Sequence, residues 1–190
     1  MSLAYSTQRD LLHSGPIRRL SQMTSYTTPP LPALSFILNP SGNFTTVSTY
    51  NWQKSAGGSD WNSNVFGQDG FLTGSMTCQV QNIAGNMMLG MSTNNYTIGY
   101  ASISYGITTY PTGAGTGAAQ VYNSGGEGPG LGAYTTSTIF GMNWTASTIN
   151  YTVNGVQVAS YSKSSAPLYI NWCFNFETSQ CKLLTLTGTQ

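Results

Sequence analysis

Charge is what this sequence lacks most. Only 6% of its 190 residues are Asp, Glu, Lys or Arg, against about 25% in an ordinary soluble domain. Six basic and five acidic side chains leave a formal net charge of +1, so no broad basic face exists to grip phosphates, and nucleic-acid binding by the body is not expected. There is one histidine, His13, near the start of the chain. A Ser-His-Asp or Cys-His site would have to borrow it from there. The five carboxylates, Asp10, Asp60, Asp69, Glu127 and Glu177, are too few for an obvious acid–base pair. Asp60 and Asp69 could meet only across a loop, so no catalytic residue is assigned and the protein is expected not to be an enzyme. Carboxylates are also too sparse for a calcium site, and the three cysteines, Cys78, Cys173 and Cys181, have no metal-ligand spacing, so neither metal nor cofactor is expected. Gly113 to Gly117 is not followed by Lys-Ser/Thr and a helix, which excludes a phosphate loop.

Long apolar runs are missing too. None approaches the roughly 18 residues of a membrane helix, and residues 1–20 have no apolar core of the secretory type, so no signal peptide and no membrane span are expected. If residues 177–180 form a hairpin loop, Cys181 lies opposite Phe176 and Cys173 points to the other face, which disfavours a bridge. The Asn-x-Ser/Thr triplets at Asn43, Asn95, Asn143 and Asn150 are what a chain rich in Asn and Thr produces by chance.

What is present is Ser, Thr, Asn, Gly and aromatics: 12 Tyr, 7 Phe and 4 Trp, enough to build a core. Residues 1–42 hold five of the eight prolines and the stretch Thr27-Thr28-Pro29-Pro30-Leu31-Pro32, which reads as an extended arm. Arg18 and Arg19 give it weak basic character, and Leu31, Leu34, Phe36 and Ile37 give it apolar contacts for docking on a neighbour. Residues 43–190 read as short strands between turns. Asn154-Gly155 is the preferred dipeptide of a type I′ hairpin. Folding there pairs Val153 with Val156 and Tyr151 with Val158, and puts Ile149, Tyr151, Val153, Val156 and Val158 on one face. Further strands are expected over residues 71–81, 87–92, 98–105, 118–123, 136–144 and 168–176, with a last one around Leu184 and Leu186. Phe140, Met142 and Trp144 share a face, as do Ile170, Trp172, Phe174 and Phe176. Residues 112–117 and 124–132 read as Gly-rich loops. Nine or ten strands and no helix predict a sandwich or barrel. Trp52, Trp144 and Trp172 fit its core, whereas Trp61, Tyr110 and Tyr134 lie in or beside loops and are the candidate glycan-contact residues.

Several short segments together resemble a known family. These are Gly58-Ser59-Asp60-Trp61-Asn62, Met88-Leu89-Gly90-Met91-Ser92, Tyr100-Ala101-Ser102-Ile103, Val121-Tyr122-Asn123-Ser124-Gly125, Asn150-Tyr151-Thr152-Val153-Asn154-Gly155 and Pro167-Leu168-Tyr169-Ile170. In this order they are similar to the concanavalin A-like, laminin-G-like jelly rolls, in the branch common in structural proteins of large DNA viruses and phages. Asn123 stands where that branch often has an acidic residue. The resemblance implies an all-β, antiparallel jelly-roll β-sandwich. It also implies a structural role in a virion, as a minor capsid, penton or fibre component made in a host cytoplasm. Its partners would be other capsid proteins and copies of itself, with the arm docking on neighbouring subunits. The alternative is a lectin-like module that binds cell-surface carbohydrate, for host attachment.

Overall fold

A computed structural model describes residues 33–38, 44–94, 98–123 and 125–190; all lie within one compact unit, residues 31–190. Two seven-stranded antiparallel sheets face each other. The first contains β1 (Phe36–Leu38), β4 (Ser63–Phe71), β6 (Met87–Ser92), β7 (Tyr105–Gly113), β8 (Thr116–Asn123), β9 (Gly126–Tyr134) and β13 (Leu168–Phe174), in the order β1-β4-β13-β6-β7-β8-β9. The second contains β2 (Phe44–Ser48), β3 (Asn51–Lys54), β5 (Thr73–Asn82), β10 (Ile139–Trp144), β11 (Thr148–Val153), β12 (Val156–Ser162) and β14 (Gln180–Thr189), in the order β12-β11-β10-β5-β14-β3-β2. The expected sandwich is therefore present, with more strands than the sequence suggests.

The core lies between the sheets, where alternate residues of each strand meet. Met87, Leu89 and Met91, Ile170, Trp172 and Phe174, and Phe140, Met142 and Trp144 all point into it. Trp52 meets Trp172 edge-on at 5.6 Å between ring centres. Of the three indoles expected here all three are buried, and the Trp144 Nε1–H donates to Phe71 O at 3.2 Å. Phe176, grouped with Ile170 by alternation, lies beyond the end of β13 and is 43% exposed.

Five local readings change. The segment 98–105 is not a strand: Tyr100–Ser102 is a single 3₁₀ turn, entered through Gly99 at φ 92, and β7 begins only at Tyr105. Residues 124–132 are not a loop: Gly126–Tyr134 is the edge strand β9, where backbone pairing carries the strand. A β-carbon at Gly128 would crowd Val121 and the Tyr161 hydroxyl, so glycine fits most easily there. Residues 112–117 are likewise mostly strand, with β7 and β8 joined by a tight turn at Gly115, φ 74. The Asn154-Gly155 turn forms as expected, with φ 51 and 81, and Val153 pairs Val156. A bulge then shifts the register, so that Tyr151 pairs Ala159 instead of Val158. Ala159 and Tyr161 therefore pack on the core, while Val156 and Val158 are exposed. Finally, residues 177–180 are not a hairpin loop, since β13 and β14 belong to different sheets. Cys173 faces outward from the first sheet and Cys181 faces the core.

Candidate functional site

The outer face of the first sheet carries chemistry that the core does not use. Met88, Ile103, Tyr122 and Cys173 form a small apolar cluster there, separate from the core, and Trp61 packs on it. The segment 98–103 is fastened to this face by polar side chains. The Gly99 N–H donates to Asn64 Oδ1 at 3.1 Å, Asn64 Nδ2 to Asn171 Oδ1 at 3.4 Å, and Asn171 Nδ2 to Ser102 Oγ at 3.0 Å. Ser92 Oγ donates to Ser102 O at 2.7 Å. Asn64 and Asn171 are buried, so the network is satisfied internally. It presents Tyr100, 42% exposed, beside Trp61 with ring centres 5.1 Å apart and planes tilted by 50°. Gly90 and Gly106 make room for this segment, because a β-carbon at Gly90 would lie 2.6 Å from Ile103 Cγ2.

Trp61 is placed by a buried lysine. Lys54, at the end of β3, has no exposed surface, and its Nζ donates to Asp60 O at 2.6 Å, Asn62 Oδ1 at 3.1 Å and Asn175 O at 2.9 Å. All three ammonium donors are used. The loop carrying Trp61 is thus tied to the corner at 175–179, and Glu177 Oε1 adds a second tie by accepting from the Gly58 N–H at 2.7 Å. Burial pushes the Lys54 pKa below its ordinary value, opposed mainly by the charge of Asp60.

The neighbouring strands carry a second group on the same face. Strand register sets Gly106 beside Tyr122 and Glu127, and Thr108 beside Gln120 and Gly130. Tyr110 leans across these rows, and its hydroxyl donates to Glu127 Oε1 at 3.3 Å. Burial raises the Tyr110 pKa, the Glu127 charge and hydrogen bond raise it further, and nearby Thr108 and Gln120 partly oppose both. Both side chains lie within hydrogen-bonding range of the phenol, which is how they oppose the shift, yet Thr108 Oγ1 and Gln120 Nε2 are buried and neither reaches good hydrogen-bond geometry with any partner.

Of the sequence candidates, Trp61 and Tyr110 come to this one face. Tyr134 does not: it is 2% exposed and packs edge-on against Phe140 in the core. Leu34 and Phe36 pack on this chain's own core, Phe36 lying 4.9 Å from the Trp52 ring, and Ile37 is half-buried in β1. Arg18, Arg19 and Leu31 lie outside the described residues. Thr108, Gln120 and Glu127 had no signal as site residues because only cross-strand register brings them together, and Tyr100 had none because its 3₁₀ turn is placed by the Asn64–Asn171–Ser102 network. A shallow hollow beside β1, lined by Leu34, Phe36, Phe71, Ile170 and Leu186, has no room even for a water molecule and is no ligand pocket.

No protein-family model matches the chain, and no curated protein matches it. Solved structures do. The TRIM65 PSpry domain is 13% identical, with 80% of this chain and 91% of that one covered and a TM-score of 0.56. The SPRY domain of human HERC1 is 14% identical, with 77% and 96% covered and a TM-score of 0.56. The fold is a concanavalin A-like jelly roll. A legume lectin-like domain from Entamoeba histolytica is also similar, at 10% identity, 82% and 90% coverage and a TM-score of 0.48. At these identities the likeness concerns the jelly roll alone.

Proposed function

We propose that this jelly roll is a non-catalytic recognition module that binds neutral carbohydrate on the outer face of its first sheet. The open Trp61–Tyr100 ring pair carries the reading: half-exposed aromatic surface, held rigidly, stacks on the C–H face of a sugar ring. Glu127 and the Gln120 amide, with Tyr110, are the polar groups of the same face. Charge argues for a neutral ligand. The cations among the described residues are Lys54 and Lys163, whose Nζ atoms sit on backbone carbonyls, and Lys182 on a strand of the other sheet. None of the three is placed to hold an anion beside Glu127. The four described carboxylates each accept a hydrogen bond within the chain, Asp60 from the Asn62 amide, Asp69 from the Ser35 N–H, Glu177 from the Gly58 N–H and Glu127 from the Tyr110 hydroxyl, which supports binding without hydrolysis. Isothermal titration against neutral tetrasaccharides tests this. Saturable binding is expected, weakened at least tenfold by Trp61→Ala or Tyr100→Ala and unchanged by Val156→Ser on the far edge. The reading fails if no neutral glycan binds.

A second reading, a structural subunit of a virion, is favoured by the outer face of the second sheet. Thr73–Thr189, Ser75–Thr187 and Thr77–Thr185 form hydroxyl pairs of 2.9, 2.9 and 2.7 Å across β5 and β14. The strands of that sheet carry two charges, the buried Lys54 and Lys182, so copies would pack there without repulsion. In this reading residues 1–32 dock on neighbouring copies. Light scattering of the full chain decides it, a defined oligomer being the expected result.

A further inference from the structure

Two polar atoms on the outer face of the first sheet are arranged against their own interest. Thr108 is 4% exposed and its Oγ1 has no hydrogen-bond partner; directly across the β7–β8 ladder, Gln120 Nε2 is buried and also unpartnered. Leaving a buried hydroxyl or amide unpaired costs about 1–3 kcal/mol each. Both groups lie on the solvent-side face of a sheet, where a small change would hydrate them. What lies nearest is Tyr110, the next outward-facing residue after Thr108 on β7. Its hydroxyl reaches Glu127 on β9, and so crosses β8 at the level of Gln120. That hydroxyl donates at 3.3 Å to an exposed carboxylate, at the long end of the hydrogen-bond range, and lies close to the Thr108 and Gln120 side chains, so it makes a weak latch over them. On the other side of the pair no bulky cover exists, because Gly130 stands beside Gln120 and nothing would touch a β-carbon there.

We propose that Thr108 and Gln120 form a closed polar subsite for two adjacent hydroxyls of a neutral sugar, with Tyr110 as its cover. This deepens the carbohydrate reading and rests on it. When Tyr110 swings aside, the Gln120 amide donates to one sugar oxygen and the Thr108 hydroxyl exchanges a hydrogen bond with its neighbour. Glu127, released from the phenol, accepts from a sugar O–H. The unpartnered pair gains on binding what it lacks in the free protein, so the ligand supplies the driving force for opening. A carboxylate or phosphate in the same place would meet Glu127 and be repelled.

Titration of the full chain against neutral tetrasaccharides, with a urea-unfolding curve for each variant, tests the proposal. Thr108→Val and Gln120→Leu replace the unpartnered atoms by apolar ones of similar shape. Each is expected to leave stability unchanged or raise it, and to weaken the affinity at least fivefold. Tyr110→Phe keeps the ring but removes the latch, and is expected to tighten binding up to threefold; weaker binding overturns the role of Tyr110 as a cover. Binding by the unaltered chain that both Thr108→Val and Gln120→Leu leave intact, in folded protein, overturns the subsite while the recognition reading stands. If either variant unfolds, Thr108→Ser and Gln120→Asn replace them, with weaker binding from Gln120→Asn alone as the expected result and unchanged binding as the refutation. Absence of binding to every tetrasaccharide overturns both.

Discussion

Lys54 shows how one residue organises a functional surface from beneath. Its ammonium is held with no exposed surface and spends its donors on two carbonyls and the Asn62 side chain. Removing it leaves three acceptors without their donor, so Lys54→Met should cost about 3 kcal/mol in urea unfolding. It should also blunt ligand binding through Trp61, since the loop loses its tie. The cysteines make a second residue-scale case. All three are buried, burial pushes the Cys173 thiol up to about 12, and burial also raises Cys181, which neighbours Cys78. Thiolate is the reactive form. The native protein is therefore expected to release no colour from Ellman's reagent at pH 8, and three equivalents once denatured. Rapid native labelling would mean that a buried strand opens easily. Tyrosine burial sets the alkaline limit. Tyr151 lies in the core with its hydroxyl donating to Tyr122 O at 3.1 Å, and burial raises its pKa far above the unfolded value of 10.0. A raised folded pKa gives stability that is complete below pH 10 and is lost as pH climbs above it. Lys54, with a lowered pKa, has the opposite sign, the folded state gaining as pH rises toward 10.5. Tyrosines dominate: Tyr110, Tyr122, Tyr134 and Tyr151 are all shifted upward. Stability should fall above pH 10, and Tyr151→Phe should flatten that fall in urea midpoints measured from pH 9 to 11.

Among the elements, turns and bulges decide which side chains face the core. The β11–β12 hairpin turns at Asn154-Gly155 as its sequence dictates, and nothing crowds a β-carbon at Gly155. The cost of Gly155→Ala is therefore conformational alone, about 1 kcal/mol. Gly130→Ala on β9, equally uncrowded but without positive φ, should be within about 0.5 kcal/mol of the parent. Thermal melts of the two variants separate backbone strain from packing. The Val158 bulge is the other lesson. Alternation alone puts Tyr151 and Val158 together, but one extra residue on β12 turns Val158 outward and Ala159 and Tyr161 inward. A bulge changes the parity of everything beyond it, and no residue type announces it.

For the molecule as a whole, the sandwich begins earlier in the chain than composition suggests. Ser35 O accepts from the Gln68 N–H at 2.9 Å, β1 pairs β4, and Phe36 lies edge-on to both Tyr50 and Trp52. A chain that starts at residue 33 keeps every contact described above and serves as the reference. Deleting residues 1–42 removes β1 and the half-buried Leu34 and Phe36, and should cost about 3 kcal/mol. Equal midpoints for the two truncations would show that β1 contributes nothing to the body. The comparison also governs any test of assembly, because a chain cut at 42 would confuse loss of a docking arm with damage to the sandwich.

Sequence by itself determined the fold class. Period-two alternation marks the core faces of β6, β10 and β13, the Asn-Gly turn sets one hairpin, and the three core tryptophans follow from their neighbours; all of these are local properties. It also marked Trp61 and Tyr110 as loop-side aromatics, without placing them together. Tertiary structure alone decided the rest. It turned a Gly-rich stretch into β9 by giving it a partner strand, and it coiled residues 100–102 over the first sheet at the Gly90–Gly106 gap. It also buried Tyr134 and set Thr108 across from Gln120 beneath Tyr110. These outcomes depend on which strands become neighbours and in what register. That is settled by contacts between residues far apart in the chain, which local pattern does not encode.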